Sequence, residues 1–469
     1  MIPQDTKSIY LIAICGTGMA SLAGLLKESG YRVAGSDNHV YPPMSTLLAE
    51  AGIAVKPGYR RENITPDIDL VIVGNAVSKT NEEVRAVQEL GIPYTSFPDA
   101  LARFFLEGRK SLVVTGTHGK TTTTSLLSWV LHACGQNPGF MVGGWMKNFD
   151  LNYRVPRGDI FVTEGDEYDT AFFDKEAKFL HYRPFAAILT GIEFDHADIF
   201  RDLDHIQSSF RKFVELIDPE GFLLVRFEDQ AAKEVLSRAA CAVETYGVSR
   251  EADWGMESYR REGGMGCFDL LHRGREIGKV RLAMMGRHNA ENAVAVAAMA
   301  IRLGLSADAV CGAFAAFQGI RRRQEVAGQQ NGVTVIDDFA HHPTAIALTL
   351  DAVKEAWPES RVWAVFEPRS ATSRRKVFQE KFPASFLRAD EVIIAGLYAP
   401  DKIPAEDRLD PERVVGDIRR RGGKARFIPH VEDIVEWIAG NHRRGDVVLV
   451  MSSGGFSGIH QKLLDRLKK

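Results

Sequence analysis

The chain of 469 residues contains no apolar run of the roughly eighteen residues that a membrane-spanning helix needs. It has little net charge, -3 at pH 7, and so offers no basic field to nucleic acid or to an anionic membrane. Cysteine is sparse: Cys15, Cys134, Cys241, Cys267 and Cys311 are scattered, with no C-x-x-C pair. That scatter speaks against a zinc or disulfide framework and fits small core or loop residues in a reducing compartment. No basic leader or cleavage site stands ahead of the strand-like run at 9–14, and a cytoplasmic protein is expected. Low-complexity tracts are missing too. What remains is an ordinary apolar fraction with 25% charged residues, in a chain too long for a single core.

Three nucleotide-type units follow one another. The first opens with SIYLIAICGTGMASLAGLLKESGYRVAGSD, a strand, a Gly16-x-Gly18 turn, an amphipathic helix and a second strand ending at Asp37. The second begins with VVTGTHGKTTTTS at 113–125, passes through strand ends at FVTEGDEYD and AAILTGIEFDH, and closes with the helix GRHNAENAVAVAAMAIRLG. The third starts near GVTVIDDFAHHPT and carries the strands RVWAVFEPR, EVIIAGLY and VVLVMSSGG. Strand and helix alternate in each, which predicts an α/β protein of three domains with mostly parallel sheets. The expected bounds are 1–106, 107–322 and 323–469, the first and last Rossmann-like and the central one like a P-loop ATPase. Residues 252–285 are less regular and read as an antiparallel insertion.

The Gly16/Gly18 turn supplies bare backbone N–H groups at a helix N-terminus, which suit any pyrophosphate, including that of a UDP-sugar. Gly16, Thr17, Gly18, Ser36 and Asp37 are therefore candidate UDP-sugar residues, although Asp37 can equally cap a loop. The 116–122 loop is more specific. The usual P-loop wants a glycine where this chain has Val114, so the cradle is a short one. Gly116 and Gly119 admit phosphate oxygens close to the backbone, and Lys120 brings a cation to the β- and γ-phosphates. Of the hydroxyls Thr121 and Thr122, one is placed to hold Mg2+. Thr123 and Thr124 read as helix packing.

Two later loops are crowded with acids: Glu164, Asp166, Glu167 and Asp169, then Glu193, Asp195, His196 and Asp198. Both follow apolar strands, where the ligand crevice of an α/β sheet lies. One acid from each suffices for Mg2+, which takes few carboxylates beside phosphates and water.

GTHGKTTTT, EGDEYD, IEFDHAD, GRHNAEN, GIRRRQE and DDFAHHPT occur here in the order found in the Mur ligases, and the sequence resembles that family over essentially its whole length. The resemblance implies an ATP-dependent amide ligase of bacterial cell-wall synthesis. ATP phosphorylates a substrate carboxylate, and an amine then attacks the acyl phosphate. Within the family, the likeness is nearest to members that take UDP-N-acetylmuramate itself. These either add L-alanine or rejoin the recycled tripeptide L-alanyl-γ-D-glutamyl-meso-diaminopimelate. VYPPMSTLL, EYDTAFFDKEAKF, FEPRSAT and VMSSGGFSGIHQKLL look like the tripeptide members. The alanine-adding members typically carry Q-P-H-R-Y-S-R-T where this chain has FEPRSATSR, which favours the tripeptide.

By the same resemblance, Lys120, Glu164 and His196 are catalytic, with Thr121, Glu164 and His196 as magnesium ligands. Gly116, Thr117, His118, Gly119, Lys120, Thr121, Thr122, His288, Asn289, Asn292, Arg322, Arg323 and Asp338 fall at ATP positions. Several family members also use a carbamylated lysine downstream of the His196 position. Arg211 and Lys212 stand there in this chain, and no carbamate is assigned. For the peptide carboxylates, Arg369 and Arg374 follow the strand RVWAVFEP, with forks that match carboxylate geometry. Arg375 reads as solvated, and Ser452–Gly455 as an anion nest or a plain glycine turn. A nicotinamide oxidoreductase would use the Gly16 turn and leave the 116–122 loop and both acid loops unexplained. A nucleotide sensor would need no amine site. Oligomeric state is not legible.

Overall fold

The computed structural model describes residues 3, 5–197 and 199–468, so that Asp198 of the second acid loop lies outside the described residues. The chain divides into two compact units. One comprises 1–192, 204–255 and 295–313; the other comprises 193–203, 256–294 and 314–469.

In the first unit, β1 (Ser8–Ile12), β2 (Arg32–Asp37), β3 (Ala54–Pro57), β4 (Leu70–Val73) and β5 (Tyr94–Ser96) form a parallel sheet in the order β3-β2-β1-β4-β5. Strand order reverses beside β1, and there the Gly16 turn leads into the helix Thr17–Glu28. Ligands of such sheets bind at that switch point, outside the carboxyl ends of the strands. The helix Glu82–Leu90 is capped at its start by the Asn81 side chain and stopped by Gly91 at φ 67°.

A second sheet is built from β6 (Lys110–Thr115), β7 (Gly139–Met146), β8 (Leu151–Arg154) and β9 (Ile160–Gly165). A short separate hairpin, β10 (Asp169–Ala171) and β11 (Asp174–Ala177), follows. The sheet is completed by β12 (Ala186–Leu189), β13 (Phe222–Arg226) and β14 (Ala242–Tyr246), and within this unit it runs β14-β13-β12-β6-β9-β7-β8. All of these pairings are parallel except β7 with β8. The register sets Val114 beside Glu164 and Thr115 beside Leu189, which puts the ends of three strands around one loop.

The irregular stretch holds β15 (Trp254–Glu262), β16 (Met265–His272) and β17 (Arg275–Leu282), the last two antiparallel. The final sheet of the second unit contains β18 (Glu325–Gln330), β19 (Val333–Asp338), β20 (Val362–Phe366), β21 (Glu391–Ile394), β22 (Ala425–Phe427) and β23 (Val447–Met451). Its order is β18-β19-β23-β20-β21-β22, parallel apart from the β18 edge. Alternate residues of its strands enter two separate cores. Val362, Ala364 and Phe366 join Leu449 and Met451, while Trp363 and Val365 join Val448 and Val450. Both faces are covered, which is why these strands read as unbroken apolar runs rather than alternating ones. The three open sheets give the three-domain α/β architecture. Among the described residues, no helix is long and apolar enough to cross a membrane.

Candidate active site

The 116–122 loop leaves β6 and enters the helix Lys120–Ala133. Gly116, at φ 125°, lies so close to the end of β12 that a Cβ there would meet Thr190 Oγ1 at 2.4 Å and the Gly191 carbonyl at 2.7 Å. Gly119 takes a left-handed φ of 81° just before the helix. Thr117 N–H donates to the Gly191 carbonyl. The loop is thus held by its neighbour strand, with the first helical N–H groups beside it. His118 belongs to it through its carbonyl, which accepts from Thr190 Oγ1 at 2.5 Å. Thr121 and Thr122 are both buried at the helix start. Thr124 Oγ1 is spent on the Lys120 carbonyl.

Thr121 Oγ1 lies 3.1 Å from Glu164 Oε2, and Gly143 N–H donates to Glu164 Oε1 at 2.6 Å. A hydroxyl and a carboxylate are hard oxygen donors, the set that suits magnesium. Lys120 Nζ folds onto the Gly116 carbonyl at 2.6 Å and pairs with Glu167 Oε2 at 3.1 Å. Burial alone would lower the Lys120 ammonium, but the carboxylates of Glu167, Asp166 and Glu164 hold it above its ordinary value. Glu167, in the same acid run, is the residue that sequence reasoning did not single out. Its signal was its place in a crowded loop, where spacing alone could not select the partner of Lys120.

Glu164 also lines a cavity of about 300 Å3, together with Gly16, Thr17, Gly18, Lys178 and Tyr182. The glycine turn of the first sheet and the metal-type acid of the second therefore face one space. Two contacts dock these parts. Asn152 Nδ2 donates to Ser21 Oγ at 2.8 Å, and a Cβ at Gly24 would run into the Tyr153 ring. Burial, with the charges of Asp166 and Glu164, pushes the Tyr182 phenol well above its usual range and keeps it a donor. Lys178 stands 3.8 Å from Asp166.

Ser36 and Asp37 do not line this cavity. Ser36 Oγ donates inward to the buried Glu83 at 2.5 Å, and Glu83 also accepts from Asn63 and Tyr10. Asp37 accepts the N–H groups of Cys15 and His39 and so fixes the loop ahead of the turn, the loop-capping alternative. Lys212 is exposed and paired with Glu176 at 2.8 Å.

His196 belongs to the second unit, at a left-handed φ of 55°. Its N–H donates to Asp195 at 2.7 Å. In the same loop, Glu193 accepts from Thr344 Oγ1 at 2.7 Å. His288, Asn289 and Asp338 are gathered by a residue the sequence reading passed over, Gln324, itself at φ 53°. Its N–H donates to Asp338 Oδ2 at 2.8 Å, its Oε1 accepts from Asn289 Nδ2 at 3.0 Å, and its Nε2 stands 3.4 Å from His288 Nε2. Gln324 was visible in GIRRRQE, but the neighbouring arginines carried the obvious charge. Asn292 reaches Asn289 at 3.4 Å. Burial raises the Asp338 carboxyl against the nearby charge of Arg323.

Arg322 and Arg323 both lie over the Phe339 ring, at 5.3 and 4.6 Å from its centroid, and Arg322 also donates to the carbonyls of Ser452 and Gly454. The two peptide candidates differ. Arg374 is committed to the carbonyls of Ser370, Tyr398 and Ala399 and organises its own loop. Arg369 is stacked on Tyr398, and its side chain makes one long contact, with Glu367 at 3.5 Å.

Three family models match: the Mur ligase family catalytic domain at 8–109, the Mur ligase middle domain at 114–300 and the Mur ligase glutamate ligase domain at 322–454. The chain is 41% identical to the UDP-N-acetylmuramate–L-alanyl-γ-D-glutamyl-meso-2,6-diaminoheptandioate ligase of Escherichia coli K12, over 98% of each chain. It is 33% identical to the UDP-N-acetylmuramate–L-alanine ligase of Carboxydothermus hydrogenoformans, over 98% of this chain and 96% of that one. Among solved structures, it is similar to a murein peptide ligase from Psychrobacter arcticus at TM-score 0.74 and 35% identity, with 99% of each chain covered. The UDP-N-acetylmuramate–alanine ligase of Thermotoga maritima aligns at TM-score 0.79 and 25% identity, over 98% of each. With three of its models matched along the chain and relatives matched over nearly the full length, the chain belongs to the Mur ligase family.

Proposed function

We propose that the protein is an ADP-forming ligase that joins UDP-N-acetylmuramate to the tripeptide L-alanyl-γ-D-glutamyl-meso-diaminopimelate in peptidoglycan recycling. The observation that carries this reading is the shared cavity. Glu164, beside Thr121 at the phosphate loop, faces the same space as the Gly16–Gly18 turn. A UDP-sugar seated on that turn brings its carboxylate to the loop that holds the ATP γ-phosphate.

Gly116, Thr117, His118, Gly119 and Thr122 cradle the phosphates, and Lys120 neutralises charge developing on the transferred group. Thr121, Glu164 and His196 are the residues that would hold Mg2+, which when bound supplies further charge compensation at the phosphates. His288, Asn289, Asn292, Arg323 and Asp338 take the nucleoside end. Arg322 serves ATP through its other N–H donors, its Nη2 remaining on the Ser452 and Gly454 carbonyls. Gly16, Thr17 and Gly18 bind the UDP-sugar diphosphate. Ser36 is left out because its hydroxyl is buried on Glu83. Arg369 receives a peptide carboxylate, and Arg374 shapes its loop. The tripeptide is preferred to L-alanine because of the FEPRSAT run and the higher identity to tripeptide ligases.

The test is ADP release with UDP-N-acetylmuramate plus either amine. Tripeptide-dependent release, with L-alanine a poor substrate, is expected. Efficient use of L-alanine with no use of tripeptide would replace this reading with the alanine-adding one.

A further inference from the structure

Arg369 emerges three residues beyond the buried aromatic end of β20, beside the end of β23. Its guanidinium carbon lies 3.6 Å from the centroid of the Tyr398 ring. On another side stands Gly454, where a Cβ would fall 1.9 Å from Arg369 Nε, closer than any side chain can come. Both walls are fixed. Tyr398 N–H donates to the Pro368 carbonyl at 3.1 Å. Gly454 is held through its N–H to Ser452 Oγ at 2.9 Å and through its carbonyl by Arg322 at 2.6 Å. Buried Glu367 closes one end of the fork: its Oε1 is 3.5 Å from Nη1, and its Oε2 accepts from Ser452 Oγ at 2.5 Å. The rest of the fork's N–H groups have no protein partner among the described residues, and the side chain remains 26% exposed.

A guanidinium has five donors in one plane. Covering a face with an aromatic ring leaves the N–H edge as the side open to a ligand, and a bidentate carboxylate matches that edge. Because the planar group is already immobilised, little rotamer entropy remains to be lost on binding.

We infer that Tyr398 and Gly454 are positioning residues that hold Arg369 edge-on, forming a slot for a free carboxylate on the amine-bearing substrate. A carboxamide presents one acceptor and an N–H2 group to the same edge, and it is discriminated against. The inference rests on the reading of Arg369 as a peptide contact, but its test is separable from that reading.

Steady-state constants are measured for Tyr398→Leu, Tyr398→Phe, Gly454→Ala and Arg369→Ala, and for Tyr398→Leu combined with Arg369→Ala. Loss of the ring is expected to raise the KM of the amine substrate about tenfold, the worth of a partly desolvated cation–π contact. The KM values of ATP and UDP-N-acetylmuramate stay put, and Tyr398→Phe restores most of the loss. In the Arg369→Ala background, Tyr398→Leu adds nothing. The parent uses free-acid tripeptide better than a tripeptide amidated at either its D-glutamyl or its diaminopimelyl carboxylate, and Arg369→Ala erases that preference. An equal penalty from Tyr398→Leu with and without Arg369 overturns the inference, as does equal use of acid and both amides by the parent. Should Tyr398→Leu fail to fold, Gly454→Ala and the peptide comparison decide. If the parent takes L-alanine and ignores tripeptide, the tripeptide reading fails. L-alanine and L-alaninamide then score the slot with the same variants.

Discussion

Lys120 Nζ lies 3.1 Å from Glu167 Oε2 while also capping the Gly116 carbonyl, so the cation of the phosphate loop already has a carboxylate partner within its own unit. The two side chains are 12% and 3% exposed, and water screens the pair little. On the proposed reading, nucleotide phosphates compete with Glu167 for the ammonium, and Glu167 keeps the buried charge satisfied before they arrive. Lys120→Ala is expected to cut turnover by about a hundred- to thousandfold while UDP-N-acetylmuramate still binds. Near-normal turnover in that variant would remove this loop from phosphoryl transfer. Glu167→Gln, by contrast, should leave the ATP KM unchanged or lower it, and a large rise would make Glu167 part of the phosphate site.

Glu164 is shared between Thr121 Oγ1 and Gly143 N–H, an arrangement that points its carboxylate. Glu164→Gln is expected to raise the Mg2+ concentration for half-maximal rate by about tenfold or more. A magnesium titration of ADP release reads this directly. An unchanged titration curve with a reduced plateau would assign Glu164 to substrate rather than metal.

Asp195 carries the pH prediction. Burial would raise its carboxyl, but the charges of His196, His341 and His342, with the His196 N–H, hold it down at about 2. Its folded pKa is thus below the unfolded value of about 3.9, so its stabilisation is complete above that value and is lost as pH falls towards 2. The shift corresponds to roughly 2 kcal/mol. Urea midpoints near pH 5, where histidines are charged, and near pH 3 should draw closer between parent and Asp195→Asn as the pH drops. A constant gap between the two would refute the linkage.

Glu83 is fully buried, with Ser36 Oγ, Tyr10 OH, Asn63 Nδ2 and the Arg60 N–H directed at its carboxylate. Glu83→Ala strands several donors in the first sheet and should cost on the order of 3 kcal/mol. A lower urea midpoint with an unchanged slope is the expected result. Glu83→Gln, which keeps one acceptor, should cost less. Equal stability of Glu83→Ala and parent would mean that the donors find other partners.

Local spacing determined where the backbone turns. A glycine beyond an apolar strand and ahead of a helix pattern specifies a conformation within a few residues, and Gly116 and Gly119 adopt it. The alternation of strand and helix likewise carried the α/β class and the three mostly parallel sheets, and the irregular 252–285 stretch carried the antiparallel pair. The order of the motifs carried the family.

Partnership was decided elsewhere. Thr121 and Glu164 lie 43 residues apart in the chain and meet because β6 pairs with β9 in one register. A shift of one residue would turn Glu164 to the other face. Apart from the family resemblance, which picked out Glu164, the acids at 164–169 were indistinguishable as a list, and the contacts of Glu164 with Thr121 and of Glu167 with Lys120 came only with the fold. Ser36 and Arg374 looked as available as Arg369 until the fold set Glu83 against one and three carbonyls against the other. Gln324 and Tyr398 carried no charge to attract notice, and their roles arise from what the chain packs around them. The sequence by itself determined which chemical groups exist and which backbone conformations present them. Only the tertiary structure determined which groups are spent on each other and which stay open to a ligand, because hydrogen bonds and ion pairs depend on distances of a few ångström between residues far apart in the chain.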